Sequence, residues 1–593
     1  MRAQGKADRA SLEPAWAQPR LFGPVLLLAS VVISGWFAMR QLPLPDEGQV
    51  LTAASKILRG GIFYRDIDVY PFPGASYLVA LAMGVFGEHL TVARLLAGAV
   101  YCGIVLSLYL AALQILDRRR AALFGLSLLS FKVLSWPSFT IYIYADVAFL
   151  FACAAIALLL GHRFHGASLR LVLAGFCVGL AVACKQNVGI YLGAAVVAVL
   201  ILPGVLLRRA RERRADAAAE VLAFGGGVAL ALAPMLAYFA GHGLLGTMLY
   251  SGLVRPFTGY LTTSDIPFNV PLRWWELGAL RVQDAAPYFV QQYWQLLMKH
   301  YLPGESWYPA YWLAGEIFTR IVYTSIVLGF VAVFGCWARA IRRREASARD
   351  SRVFLLAGLT FAVFLSAFPR ADYFHVFGVY PLVVLLLFAL SARWEARGGD
   401  RWRRSLRWFE GGVVASLLAV SAAIALTTAS HLTYRVELDR ADVYVFPDQA
   451  WIQPMVEQIS SELEPGDPLF VYGHEAHWYF LTGHFYPWKF SQLYPGQAGG
   501  DGGRRLVALL KEVPPRTILR GLMKWPGVPG LRSYAPLLER HILRNYCRED
   551  GFFGARIPIG VERPPNWVFQ VLRQGSEPAA SAGEIRSCSQ PTE

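Results

Sequence analysis

Long apolar runs separated by short, arginine-rich polar segments dominate the first 430 residues. A helix needs roughly 17–25 apolar residues to cross a hydrocarbon core about 30 Å thick. Eleven runs of about that length are placed as spans, at residues 21–39, 91–116, 120–137, 146–162, 170–184, 188–207, 221–240, 315–338, 353–369, 374–391 and 409–429. After residue 430 the pattern changes. Short β-branched or aromatic runs, Pro468–Tyr472 and Arg516–Leu519, alternate with helix-like stretches at Arg504–Glu512 and Ala535–Arg544. Such alternation predicts a small α/β domain. The expected architecture is a polytopic α-helical membrane protein of about eleven spans with a C-terminal α/β extracytoplasmic domain over 430–593, its end after Gln574 disordered by composition.

A mean hydropathy of +0.40, with 55% hydrophobic and 16% charged residues, excludes an ordinary soluble protein. The 56 Lys+Arg against 41 Asp+Glu give a net charge of +15. In a soluble protein that excess suggests nucleic-acid binding; here it is a topology signal. With residues 1–20 as a basic cytoplasmic tail, the inner loops carry Arg118-Arg119-Arg120, Arg163 and Arg170, Arg208–Arg214, Arg339–Arg352 and Arg393–Arg407. The outer loops hold far fewer bases, as the positive-inside rule requires. No small-residue cleavage site follows the first run, so it reads as an uncleaved span. The seven cysteines form no CxxC pair. A disulfide between Cys547 and Cys588 is left open. No GxGxxG follows the first strand of the tail, so a dinucleotide site has no support.

Two outer loops are too long to be simple connectors. The loop over 40–90 holds a helical stretch, Gln49–Arg59, and a short apolar segment, Ala75–Phe86, that reads as interfacial or re-entrant. The loop over 241–314 is dense in aromatics, including Trp274, Trp275, Tyr288, Phe289, Tyr293, Trp294, Tyr301, Trp307, Tyr308, Tyr311 and Trp312. These form either an interfacial belt or a wall for a lipid tail or sugar ring.

Charged side chains recur at the outer ends of the spans: Asp46 and Glu47 after the first, Asp146 opening the fourth, Lys185 after the fifth, and Arg370, Asp372 and His375 before the tenth. Any one of them suits a helix cap or a snorkelling side chain. Together they set carboxylates beside bases at one membrane depth. That combination suits a phosphate-bearing lipid, with Lys and Arg holding the phosphate and a carboxylate taking a proton from an attacking hydroxyl. Asp66-Ile-Asp68 is a weak DxD match best read as a solvated loop; three histidines, His474, His477 and His484, can bind zinc but lack HExxH spacing, and they read better as a polar loop after a strand, at the acceptor entrance.

Asp46-Glu47, Gly61-Ile-Phe-Tyr-Arg-Asp66, Tyr70-Pro-Phe-Pro-Gly74, Phe86-Gly87 and Ala93-Arg94-Leu95 together resemble the GT-C superfamily of membrane glycosyltransferases. Within it the chain looks like the bacterial branch of aminoarabinose lipid A transferases, protein O-mannosyltransferases and rhizobial lipopolysaccharide sugar transferases. The resemblance runs through most of residues 20–430, specific in layout and loose in identity. It implies a GT-C-like catalytic domain over 21–429 and a polyprenyl-phosphate-linked sugar donor. Transfer would go to a glycan, lipid or protein acceptor at the outer face of the inner membrane. It further implies Asp46 as catalytic base with Glu47 in support, and Asp146, Lys185, Arg370, His375 and Arg65 as substrate-binding residues. Pro71-Phe-Pro73-Gly74 departs from a His-Pro-Pro-like turn, so no metal or acceptor contact is carried over there. No cofactor is implied with certainty, and a divalent cation stays open. The rival readings are a transporter or lipid flippase, disfavoured because the ionisable residues gather at one face instead of the midplane, and a non-catalytic acceptor-binding subunit.

Overall fold

Each of the predicted apolar runs is helical in the computed structural model, which describes residues 18–42, 45–135, 140–162, 166–206, 210–260, 266–277, 308–343, 347–494, 497–498, 501–521, 530–548, 569–574 and Cys588. The helices are α1 Pro19–Ala38, α2 Pro45–Leu58, α3 Gly74–Phe86, α4 Leu90–Ile115, α5 Arg118–Leu134, α6 Tyr144–Leu160, α7 Leu169–Cys184 and α8 Gln186–Leu206. They continue as α9 Ala210–Gly241, the short α10 Leu245–Leu249, α11 Tyr308–Arg342, α12 Ala348–Phe364, α13 Tyr373–Arg397 and α14 Asp400–His431. Among the described residues, 7 helices are long and apolar enough to cross a membrane, within α1, α4, α9, α11, α12, α13 and α14. This is a multi-pass membrane protein. Of the other predicted runs, α5 and α6 are 17 residues long and α7 is 16, and α8 carries an apolar stretch over Gln186–Ile201.

The polar breaks fall where the site residues lie. Lys185 adopts an extended conformation (φ −150°, ψ 99°) that ends α7 one residue before α8 begins. Helix packing is close: a Cβ on Gly175 of α7 would sit 2.0 Å from the Phe224 carbonyl oxygen of α9. Only glycine lets these backbones approach so nearly. At the far end of α13, Arg120 bonds Glu410 (2.6 Å), Glu395 (2.5 Å) and Asp117 (2.8 Å), joining α5, α13 and α14. Glu395 stands twenty residues along α13 from His375, roughly 30 Å at the helical rise.

Beyond α14 the hairpin β1 Tyr434–Leu438 and β2 Ala441–Val445 is antiparallel. Its Tyr444 donates its N–H to Met39 O (2.8 Å) and accepts from Gln41 N (2.7 Å), which ties the hairpin to the end of α1. After α15 Ile452–Glu462 comes a four-stranded sheet in the order β3-β4-β6-β5. Its strands are β3 Leu469–Tyr472, β4 Thr517–Gly521, β5 Tyr546–Arg548 and β6 Phe569–Gln574. β3 and β4 are parallel, with Leu469 opposite Thr517, and the other pairs are antiparallel. The helices α16 His477–Thr482, α17 Arg504–Glu512, α18 Leu531–Tyr534 and α19 Pro536–Asn545 connect the strands. Cys547 and Cys588 form a disulfide.

Candidate active site

The helix α2 starts at Pro45, four residues before the predicted start at Gln49, so Asp46 and Glu47 occupy its first turn. Negative charge is favoured there by the unpaired N–H groups and the helix dipole. The two side chains then diverge. Glu47 is fully buried and takes two of the three nitrogens of the Arg94 guanidinium, Nε to Oε1 at 2.5 Å and Nη2 to Oε2 at 2.6 Å, while Tyr142 N also donates to Oε1 (3.0 Å). Asp46 is half-buried and has no hydrogen bond or ion pair to any described residue. Burial raises its pKa above the ordinary carboxylate value, against the opposing fields of His375, Arg370 and Lys185.

Those cations come from two helix breaks. Before α13, Asp372 holds both of its charged neighbours: Arg370 Nε donates to Oδ2 (2.7 Å), and His375 Nδ1 lies 2.7 Å from Oδ1. The Arg370 and His375 charges hold the Asp372 carboxyl below its usual range despite burial. At the α7–α8 break, Lys185 makes no ion pair with a described residue; its Nζ lies 6.0 Å from the Tyr144 ring, and burial pushes its pKa down to about 8. A cavity of about 500 Å³, open mouth included, is lined by Asp146, Phe149, Lys185, Ser366, Phe374 and His375 among others. Lys185 lies within the electrostatic reach of Asp146, Asp372 and Asp46. The arrangement sets an unpaired carboxylate in the field of Lys185, Arg370 and His375, with Asp146 and Asp372 among those bases, and suits removing a proton from one group while stabilising anionic charge on another.

The C-terminal sheet domain closes over α2. Gln492 Nε2 donates to Pro45 O (2.8 Å), Thr52 Oγ1 to Ala476 O (2.9 Å) and Lys56 Nζ to Trp488 O (2.7 Å). His474, from the loop after β3, is buried and lies within the field of Arg370.

Residues 70–245 match the family model of dolichyl-phosphate-mannose-protein mannosyltransferases, a stretch that includes Asp146 and Lys185. No curated protein sequence matches the chain. Among solved structures, the chain aligns with an oligosaccharyltransferase of Archaeoglobus fulgidus at a TM-score of 0.51 and 12% identity, over 88% of this chain and 72% of that one. The fold is that of the GT-C membrane glycosyltransferases. The chain is also similar to ArnT of Cupriavidus metallidurans, at a TM-score of 0.39 and 15% identity over 92% of this chain and 97% of that one.

On this GT-C frame, five of the seven residues singled out from sequence converge: Asp46, Asp146, Lys185, Arg370 and His375. Glu47 lies next to Asp46 in sequence, but its carboxylate is committed to Arg94. Arg65 is exposed, pairs with Asp66 at 3.0 Å and does not line the cavity. In the DxD match, Asp66 is exposed, whereas Asp68 is fully buried between Arg255 (2.7 Å) and Lys489 (2.8 Å). A solvated loop therefore describes only half of that motif. His474 and His477 are buried instead of lining an open polar loop. Among the described residues no group of three or more His, Cys, Asp or Glu side chains converges as metal ligands. Of the aromatic loop, Trp274 and Trp275 are exposed, as a belt requires. Residues 278–307 lie outside the described residues, and Tyr308, Tyr311 and Trp312 belong to the first turns of α11.

Two residues named from sequence without a role of their own also stand near the site, Asp372 and His474. Asp372 carried a signal, an acidic residue three before His375 at a helix start, which is N-cap spacing. His474, read as part of a polar loop at the acceptor entrance, is buried and lies within the field of Arg370, more than a hundred residues earlier in the chain.

Proposed function

We propose that this protein transfers a hexosyl or pentosyl group from a polyprenyl-phosphate-linked donor to an envelope acceptor, lipid, polysaccharide or protein, on the outer face of the cell membrane. The observation that carries this reading is Asp46, a carboxylate without a direct partner, opposite Lys185 and the Arg370–Asp372–His375 cluster. Asp46 accepts the proton of the acceptor hydroxyl as its oxygen attacks the anomeric carbon. The bond from that carbon to the phosphate oxygen breaks, and its electron pair stays with the phosphate. Lys185 and Arg370 stabilise the growing negative charge, which is worth most in a site shielded from water. A raised pKa makes Asp46 a stronger base than an exposed carboxylate. Asp146 orients the Lys185 ammonium through its charge.

The match of residues 70–245 to a family described by a dolichyl-phosphate sugar supports the donor class. The Cys547–Cys588 disulfide supports an extracytoplasmic C-terminal domain and a cytoplasmic N-terminus, since such bonds persist in oxidising compartments. The test is transfer of labelled sugar from a polyprenyl-phosphate donor to an envelope extract by purified protein in detergent, where no second compartment exists. Wild-type protein transfers; Asp46→Asn loses roughly 10²–10⁴-fold of the rate while remaining folded. Transfer undiminished in Asp46→Asn rejects the assignment of the base, and no transfer by folded wild type rejects the enzyme reading.

A further inference from the structure

One carboxylate at the site has no part in the chemistry above. Asp372 is the N-cap of α13, and its Oδ1 accepts the His375 backbone N–H (3.0 Å). The same Oδ1 lies 2.7 Å from His375 Nδ1, and Oδ2 accepts from Arg370 Nε at 2.7 Å. A helix cap alone needs only one acceptor atom. Here the carboxylate also fixes the ring. An imidazole nitrogen facing a carboxylate oxygen carries its proton there, which leaves Nε2 as the free ring nitrogen. Nε2 has no hydrogen-bond partner among the described residues, and His375 lines the cavity shared with Lys185 and Asp146.

We propose that Asp372 is a positioning residue that sets His375 as the proton donor to the departing phosphate, an inference that rests on the glycosyl-transfer reading above. When the anomeric carbon–oxygen bond breaks, the donor's phosphodiester becomes a monoester and gains one negative charge. His375, charged on both nitrogens, gives its Nε2 proton to that phosphate oxygen, and the acceptor's proton goes to Asp46. The acceptor O–H and the His375 N–H are broken, O–H bonds to Asp46 and to the phosphate are made, and one anomeric C–O bond replaces another, with no oxidant or reductant. Asp372 stabilises the imidazolium before the transfer and holds the neutral ring afterwards with its proton on Nδ1. Arg370 is bound to the other oxygen of Asp372. The other charged groups facing His375 are Asp46 from α2, Asp146 from α6, Lys185 from the α7–α8 break and, through Arg370, His474 from the C-terminal domain.

The test compares transfer by wild type, Asp372→Asn, Asp372→Ser and His375→Gln in the full-length protein across pH. Asn and Ser keep an acceptor for the helix cap but lose the charge. Asp372→Asn is expected to lose roughly 10²-fold in kcat with KM changed little. Its alkaline limb moves to lower pH, because removing the negative charge releases the His375 proton more easily. Lys185 titrates on the same side but is intact in both proteins. In His375→Gln the residual activity no longer carries that limb. Full kcat and an unmoved alkaline limb in folded Asp372→Asn or Asp372→Ser would overturn the inference. If these variants fail to fold, an unchanged limb in His375→Gln overturns it. Loss of transfer in Asp46→Asn alongside normal Asp372→Asn sinks this inference alone, whereas absence of transfer by wild type sinks it together with the reading on which it rests.

Discussion

Glu47 and Arg94 meet in a two-toothed ion pair with both side chains fully out of solvent. Arg94 also donates to Arg40 O (3.1 Å), so the pair joins the end of α1, the first turn of α2 and the second turn of α4. Neighbouring acids in one helical turn therefore do different work: Glu47 builds the frame and Asp46 faces the chemistry. Removing one partner of a buried pair leaves an uncompensated charge and costs about 3–5 kcal/mol. Glu47→Gln is expected to lose stability of that order, read as a lower thermal midpoint of the detergent-solubilised protein. Asp46→Asn, which breaks no direct contact, should leave the midpoint unchanged or raise it. Equal losses in both variants would refute this division of labour.

The field around Asp46 gives a second expectation. Burial raises its pKa and Lys185 pulls it back down. Transfer depends on the ionised form, so activity rises with pH through a value above the ordinary carboxylate range. Lys185→Gln removes a nearby positive charge and should move this acid limb to higher pH while raising KM for the donor. Lys185→Arg keeps the charge and the limb. Measuring kcat against pH for the three proteins checks the sign.

Gly48 follows the acidic pair and faces the start of α16. A Cβ there would lie 2.3 Å from the His477 backbone nitrogen. Gly48→Ala must push α2 away from the C-terminal domain, at about 1–3 kcal/mol for overpacking. It should loosen that domain to limited proteolysis and lower transfer, because Asp46 moves with its helix. An unaltered digestion pattern would show that the two surfaces are not packed as described.

Glu475 is buried against Gly473 and Gly521, accepts a backbone N–H from His474 (2.9 Å), and has its pKa pushed up to about 7 by burial. A carboxyl whose folded pKa is raised contributes stability that is full below its unfolded value and is lost as pH rises through about 7. Glu475→Gln is therefore expected to stabilise the protein above pH 7 by on the order of 1–3 kcal/mol, with no gain near pH 4. His474 and His477, pushed down to about 4 and about 3 by burial, act in the opposite sense. Their contribution is present above the ordinary histidine value and is lost as pH falls through those values. Thermal unfolding at several pH values, wild type against Glu475→Gln, tests the sign.

Much of the architecture could be read locally. The length of an apolar run is set by bilayer thickness, and strand and helix periods repeat along the chain, so the apolar helices, β3, β4, α17 and α19 all appear near their expected positions. The charged breaks at Lys185 and before Tyr373 were visible for the same reason, since a polar residue interrupting an apolar run is a local event. Partner choice was not. That Glu47 belongs to Arg94, that Asp68 belongs to Arg255 and Lys489, and that Arg65 stays outside while His474 comes in follows from how distant helices and the C-terminal domain pack. Adjacent carboxylates look alike in one dimension. Only the surroundings each meets beyond α2, a buried guanidinium for Glu47 and the field of His375, Arg370 and Lys185 for Asp46, separate structure from chemistry.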